Sequence, residues 1–265
     1  MNNSNQGEYW EKRLSDNFGL HGTGFLGLGK NFNTWMYRVR AKVLQRALKK
    51  LNIAPAEYQI LDIGSGTGFY VNLWKQFGCK KVVGADITKV SVENLRKNFP
   101  EFEFYILDIG NEKKEVDQII DRQFDIISAF DVLFHITDDK RYKNAFKNVY
   151  DRLADGGYFI FTENFLHKNY FQAEHQKGRT LESIEMILTD LNFRIVSRSP
   201  SFVLMSNPVD SDNRLLRNYW RNISKLIRKN EKVGNMAGGL LFPLELLLVN
   251  LIHEGPSTEI MVCSK

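Results

Sequence analysis

Apolar residues along this chain recur in two periods that alternate. Trp35, Val39, Val43, Leu44, Ala47, Leu48 and Leu51 fall on one side of a helix spanning 34–51. A short unbroken apolar run, YQILDI at 58–63, follows and stops at glycines, which marks a buried strand. Residues 69–78 suit a helix, KVVGA at 81–85 a second strand ending at Asp86, and 88–98 a helix ended by Pro100. FEFYIL at 102–107 and FDIISA at 124–129 read as third and fourth strands. Lys140 to Leu153 reads as a helix closed by the turn signal Asp155-Gly156-Gly157. Residues 158–162, 193–197 and 259–263 read as the last three strands, with a helix at 181–191.

Strands alternating with helices at this spacing imply parallel βαβ units, hence an α/β fold with a doubly wound, seven-stranded, mostly parallel sheet. The rhythm predicts N-terminal helices and a lid over 1–54, a core over 55–199, a helical cap inserted at 200–256, and the core's final strand at 257–265. Residues 1–33 are polar, with Gly22, Gly24, Gly27 and Gly29 close together, as in a helix followed by a mobile loop that serves as lid hinge or simple linker.

Composition changes this picture little. The 265 residues are 43% hydrophobic and 25% charged, ordinary for a globular protein, and a net charge of +5 suits an anionic ligand without arguing for nucleic acid. Cys79 and Cys263 are the two cysteines; far apart and in apolar surroundings, they are expected to be reduced and buried. The polar N-terminus lacks the apolar stretch of a signal peptide, so a cytoplasmic setting is expected. The most apolar segment, 238–252, contains Pro243 and Glu245 and falls short of the roughly 20 residues that span a bilayer, so no stable membrane insertion is expected.

The strongest chemical signal is ILDIGSGTGFY at 60–70, where Asp62, Gly64, Gly66 and Gly68 follow a strand and open a helix. Glycines there permit a sharp turn and the close approach of a ligand to the backbone. A dinucleotide fingerprint places its third glycine one residue later, where Phe69 stands, and no Gly-Lys-Ser/Thr follows to make a triphosphate loop. DIGSGTG at 62–68 instead resembles the first motif of the class I S-adenosylmethionine-dependent methyltransferases, which says little about substrate; His135 and Glu163 add a resemblance to those acting on small-molecule hydroxyls. The resemblance covers about 55–200 and the final strand. It implies S-adenosyl-L-methionine as cofactor, held by Asp62, Gly64, Ser65, Gly66 and Gly68. It also implies that Asp86 accepts both ribose hydroxyls, Ile87 covers adenine, Asp108 accepts from the adenine amino group, and Ile109 and Phe130 complete the site.

The sulfonium methyl is already activated, so the protein must align an acceptor and manage one proton. The loop after the fourth strand, AFDVLFHITDD at 129–139, carries His135, the best general-base candidate. Similar enzymes place an acid at the end of strand five, where Glu163 stands and is expected to orient the histidine. His21, His167 and His175 lie in loops within reach of the same region, but each is expected to be ordinary surface. No acids and histidines show metal-ligand spacing, so no metal is expected. Arg214, Arg217, Arg221, Lys225, Arg228 and Lys232 recur every three or four residues, opposite Leu216, Trp220, Ile223 and Ile227. That amphipathic basic helix, whose expected apolar face also includes Leu226, is either a solvated face over a core-facing stripe or a contact for a phosphate-bearing or lipid-linked substrate. The following apolar stretch packs this cap onto the sheet or lines a pocket. The Asn/Asp-Pro-Pro-Tyr/Phe motif is absent after strand four, which argues against nucleic-acid partners. The expected acceptor is a hydroxyl of a sugar-like or secondary-metabolite molecule. Carbon or nitrogen methylation, or cofactor binding without transfer, are the alternatives.

Overall fold

The computed structural model describes residues 4–168, 171–173 and 175–265. Its strands are β1 (Gln59–Ile63), β2 (Lys81–Asp86), β3 (Glu103–Ile106), β4 (Phe124–Ala129), β5 (Leu153–Glu163), β6 (Phe171–Ala173), β7 (Gln176–Gly178), β8 (Arg194–Pro200) and β9 (Glu259–Ser264). Seven of them form one sheet in the order β3-β2-β1-β4-β5-β9-β8, while β6 and β7 make a separate hairpin. The pairs from β3 through β5 are parallel, and β9 runs antiparallel between β5 and β8. The chain order reverses between β1 and β4, and such a reversal opens a crevice at the carboxyl ends of the strands.

The helices are α1 (Ser4–Asp16), α2 (Leu20–Thr23), α3 (Gly29–Lys50), α4 (Phe69–Gln76), α5 (Lys89–Asn98), α6 (Lys113–Asp117), α7 (Asp139–Arg152), α8 (Leu181–Asp190), α9 (Arg214–Ile227) and α10 (Glu231–Leu251). The sheet is buried on both faces because successive strand residues point oppositely. Ile60 and Ile126 pack with Phe32, Met36 and Trp74 on one side; Leu61 and Ile127 pack with Phe146, Phe159 and Ile184 on the other. Both cysteines are buried and unpaired.

The structure departs from these expectations in several places. Helix α3 begins at Gly29, not near Trp35, so the glycine-rich segment before it is short helical turns and not an open loop. Gly156 and Gly157 fall within the bounds of β5, but pairing with β4 jumps from Phe124↔Leu153 to Ile126↔Tyr158 and Gly156 has φ 75°, so the turn expected after α7 is an excursion at the start of that strand. The hairpin β6–β7 and the short α6 lack any periodic signal and were not expected. Finally, α10 is 21 residues long and, by length and composition alone, apolar enough to cross a membrane. Its Glu245 is fully buried, however, and accepts the backbone N–H groups of Val203, Leu204 and Met205 at 2.8, 2.8 and 3.2 Å. The helix lies along α3, where a Cβ on Gly238 would sit 2.3 Å from the Trp35 ring. The cap therefore rests on α3 and not directly on the sheet.

Candidate active site

A cleft with about 980 Å³ of empty space, partly open to solvent, lies over the carboxyl ends of β1 to β4. The glycine loop forms its floor. Gly64 and Gly66 have φ of 71° and 52°, conformations that side chains rarely adopt. A Cβ on Gly64 would meet Val132 Cγ2 at 2.2 Å, so the loop after β4 closes tightly on the loop after β1. Gly64 and Ser65 donate their N–H groups to Ala85 O, tying the turn to β2.

Asp86 ends β2 and lines the cleft. Its Oδ2 accepts from Gly66 N at 2.8 Å, and its Oδ1 accepts from Thr88 N and Oγ1 at 2.9 and 2.7 Å. With two donors already on Oδ1, only Oδ2 retains acceptor capacity, so the expected use of both oxygens for a ribose is narrowed to one. Asp108 also lines the cleft, with Oδ1 accepting from Gly110 N at 3.0 Å and Oδ2 paired with Arg141. Ser65, Ile87, Ile109 and Phe130 lie in the same wall.

Two residues of the expected set stand behind the loop instead. Asp62 is buried, accepts from Ser128 Oγ at 2.6 Å on Oδ1, and leaves Oδ2 without a partner; burial pushes its pKa up to about 7. Gly68, with φ 86°, starts α4, where a Cβ would collide with Phe99 and Leu95. It serves the packing of α4 on α5.

His135 sits in a short 3-10 turn after β4 and lines the cleft. Its Nδ1 lies 2.8 Å from the His175 carbonyl oxygen, between the rings of Trp10 and His175. A carbonyl only accepts, so Nδ1 carries the proton and Nε2 is the unprotonated nitrogen. Burial lowers the histidine's pKa to about 4, against the smaller raising effect of the His175 carbonyl, so the ring is neutral at physiological pH. Glu163 is not its partner. It is fully buried and accepts from Tyr142 Oη at 3.0 Å and Asn164 N at 3.2 Å. Strand alternation explains the miss: Thr162 faces the cleft side, where its Oγ1 accepts from Asp131 N at 2.7 Å. The next residue must then point to the other face, into α7. Burial pushes the Glu163 carboxyl up to about 7, partly offset by Arg179. His167 bonds Asp210, away from the cleft, and His21 is not among the cleft residues.

The remaining walls come from the N-terminal helices, whose contribution the sequence reading missed. Gln6, Trp10 and Leu14, spaced by four on α1, line the cleft beside Thr23 and Tyr37. Gln6 donates to His135 O and, at 3.0 Å, to Thr137 Oγ1. Glu11 accepts the N–H groups of Lys89 and Val90 at 2.7 and 3.1 Å, fastening α1 to the start of α5. Behind the cleft, a small chamber shares Tyr70, Phe130 and Asp131 with it and adds Arg40, Thr162 and Ser201. Helices α9 and α10 contribute nothing to either lining; they cover α3, whose Tyr37 and Arg40 do. Arg217 and Arg221 are exposed and outside the cleft.

This geometry fits an adenosyl ligand: a glycine loop with positive φ at Gly64 and Gly66 lining the cleft, carboxylates at the ends of β2 and β3, and apolar walls between them. The comparisons agree. A family model described as a methyltransferase domain matches residues 32–198. The fold resembles magnesium protoporphyrin IX methyltransferase from Synechocystis PCC 6803, solved with bound S-adenosylmethionine, with a TM-score of 0.60 at 13% identity over 99% of this chain and 96% of that one. It also resembles the N-methyltransferase NodS from Bradyrhizobium japonicum WM9, solved with S-adenosyl-L-homocysteine, with a TM-score of 0.52 at 18% identity over 73% of this chain and 89% of that one. In sequence, the chain is 26% identical over 145 residues to an mRNA cap guanine-N(7) methyltransferase of Caenorhabditis briggsae, covering 50% of this chain and 38% of that protein. The chain thus spans well under half the length of that curated relative.

Proposed function

This chain belongs to the class I S-adenosylmethionine-dependent methyltransferases, and from that premise we propose that it methylates a hydroxyl of a small molecule entering beside His135. The cofactor supplies an activated methyl group on a sulfonium. The loop Gly64–Gly66 and the carboxylates of Asp86 and Asp108 would hold it, with Ile87 and Ile109 against the adenine. Trp10 and Leu14 line the cleft and would help to hold an acceptor in line with the methyl group. The observation that carries the reading is the fixed tautomer of His135: with Nδ1–H committed to the His175 carbonyl, Nε2 is left to take a proton from the acceptor hydroxyl. Glu163 takes no part in that step.

The depressed pKa of His135 favours one second reading, an amine acceptor that is already unprotonated and needs little base catalysis. A transfer assay with methyl-labelled cofactor against a metabolite panel, followed by mass spectrometry, identifies the product. On that acceptor, His135→Ala should lower kcat by about 10²–10⁴-fold with cofactor affinity unchanged if the acceptor atom is a hydroxyl oxygen. Near-normal turnover of the variant removes His135 as the base and supports the amine reading. Absence of any methylated product across hydroxyl and amine acceptors would count against both.

A further inference from the structure

The exposed residues of α9 and α10 take no part in the cleft, yet they concentrate two properties. On α10, Met236, Leu240, Leu244, Leu247 and Leu251 follow one another at spacings of four, four, three and four, making one stripe. All five are exposed, Leu240 to 75% and Met236 to 66%. Lys232 begins the same stripe one turn earlier. On α9, Leu215 is 80% exposed, next to the basic row Arg214, Arg217, Arg221 and Lys225. Monomeric proteins rarely leave a contiguous aliphatic stripe of this kind in water.

The charge is as concentrated as the apolar surface. Residues 213–253 hold seven Lys or Arg against two Asp or Glu, and so carry the whole net charge of +5; the rest of the chain is balanced. Neither acid neutralises the row. Glu231 accepts the N–H groups of Lys30 and Asn31 at 2.8 Å each, and Glu245 is buried. Among the described residues, none of the seven basic side chains lies within ion-pair distance of a carboxylate.

We propose that this helix pair lies on anionic lipid membranes, with the α10 stripe among the acyl chains and the basic side chains at the headgroups. The combination selects the partner. A nucleic acid would use the basic row but leave the leucines in water. A second copy meeting across a two-fold axis would cover the leucines but bring two unneutralised basic rows together. An anionic bilayer satisfies both at once. Spanning is excluded by Glu245 and Gly238, which pin the inner side of α10 to the 203–205 backbone and to Trp35.

Vesicle flotation tests the proposal with phosphatidylcholine vesicles with and without phosphatidylglycerol. The protein should float with the anionic vesicles, weaken with added salt, and stay behind with the neutral ones. Two double variants, Leu240→Asp with Leu247→Asp, and Arg217→Glu with Arg221→Glu, should each bind at least about tenfold more weakly. Their affinity for S-adenosylmethionine by calorimetry should stay unchanged, which shows that they are folded. Three results would overturn the proposal: wild type that ignores anionic vesicles, charge variants that float like wild type, or a wild-type dimer that the leucine variant converts to monomer in light scattering.

Discussion

Arg40 and Asp131 form an ion pair, with Nε 2.9 Å from Oδ2, at the wall between the cleft and the chamber behind it. Arg40 is 8% exposed, its Nη1 has no partner, and its guanidinium lies over the rings of Tyr37 and Phe202. Asp131 has φ 58° and is held by Thr162. Removing the carboxylate strands a buried cation. Asp131→Ala should therefore destabilise the protein by about 3 kcal/mol, measured by urea denaturation. Asp131→Asn should lose less, because asparagine tolerates this backbone conformation and keeps an acceptor for Arg40. Equal stability of wild type and Asp131→Ala would show that the pair contributes nothing net.

The fit of Gly64 against Val132 makes a second test. Gly64→Ala should abolish cofactor binding, because the new methyl overlaps Val132 Cγ2 and the positive φ adds roughly 1–2 kcal/mol of strain. Adding Val132→Ala removes the overlap but not the strain. The double variant should recover part of the affinity by calorimetry, and no recovery would place the damage in the backbone alone.

Asp86 supports the loop and faces the cleft through one free acceptor site. Asp86→Ala should weaken S-adenosylmethionine binding by about 1–3 kcal/mol, the scale of a hydrogen bond to a charged group. An unchanged dissociation constant would take Asp86 out of the site.

Two buried groups give opposite pH dependences. Glu163 has its pKa raised from 4.5 to about 7, so its contribution is full below pH 4.5 and lost as pH rises through 7. Glu163→Gln should match wild type near pH 4 and exceed its stability by about 1–3 kcal/mol at pH 8, with turnover unchanged. His135 has its pKa lowered from 6.5 to about 4, so its contribution is present above 6.5 and lost as pH falls toward 4. The pH–rate profile should accordingly show no break near 6.5. A break there that vanishes in His135→Asn would mean that the ring is more hydrated in solution than its packing indicates.

The core strands and the glycine loop were legible because their causes are local. An apolar run of strand length can only be buried, and DIGSGTG makes a turn that side chains obstruct. The placement of Asp86 and Asp108 followed from the same logic, since parallel strands bring their carboxyl ends to one edge. The error at Glu163 is of another kind. It sits at the end of the expected strand, but which face it meets depends on the register of β5, and a bulge near its start sets that register. The N-terminal wall was missed because Gln6, Trp10 and Leu14 become a site only when α1 docks on α5, through Glu11 contacts that reach 78 residues along the chain.

Sequence by itself determined the alternating α/β order, the glycine turn at the floor of the cleft, and the basic, apolar character of the cap. Those properties reside in spacing and side-chain chemistry, which survive whatever the chain packs against. Tertiary structure alone decided that the cap rests on α3 and leaves a leucine stripe in solvent. It also decided that His135 is neutral and tied to a backbone carbonyl, and that Arg40 meets Asp131. Each of these depends on desolvation and on contacts between segments far apart in the chain, and neither is encoded at any single position.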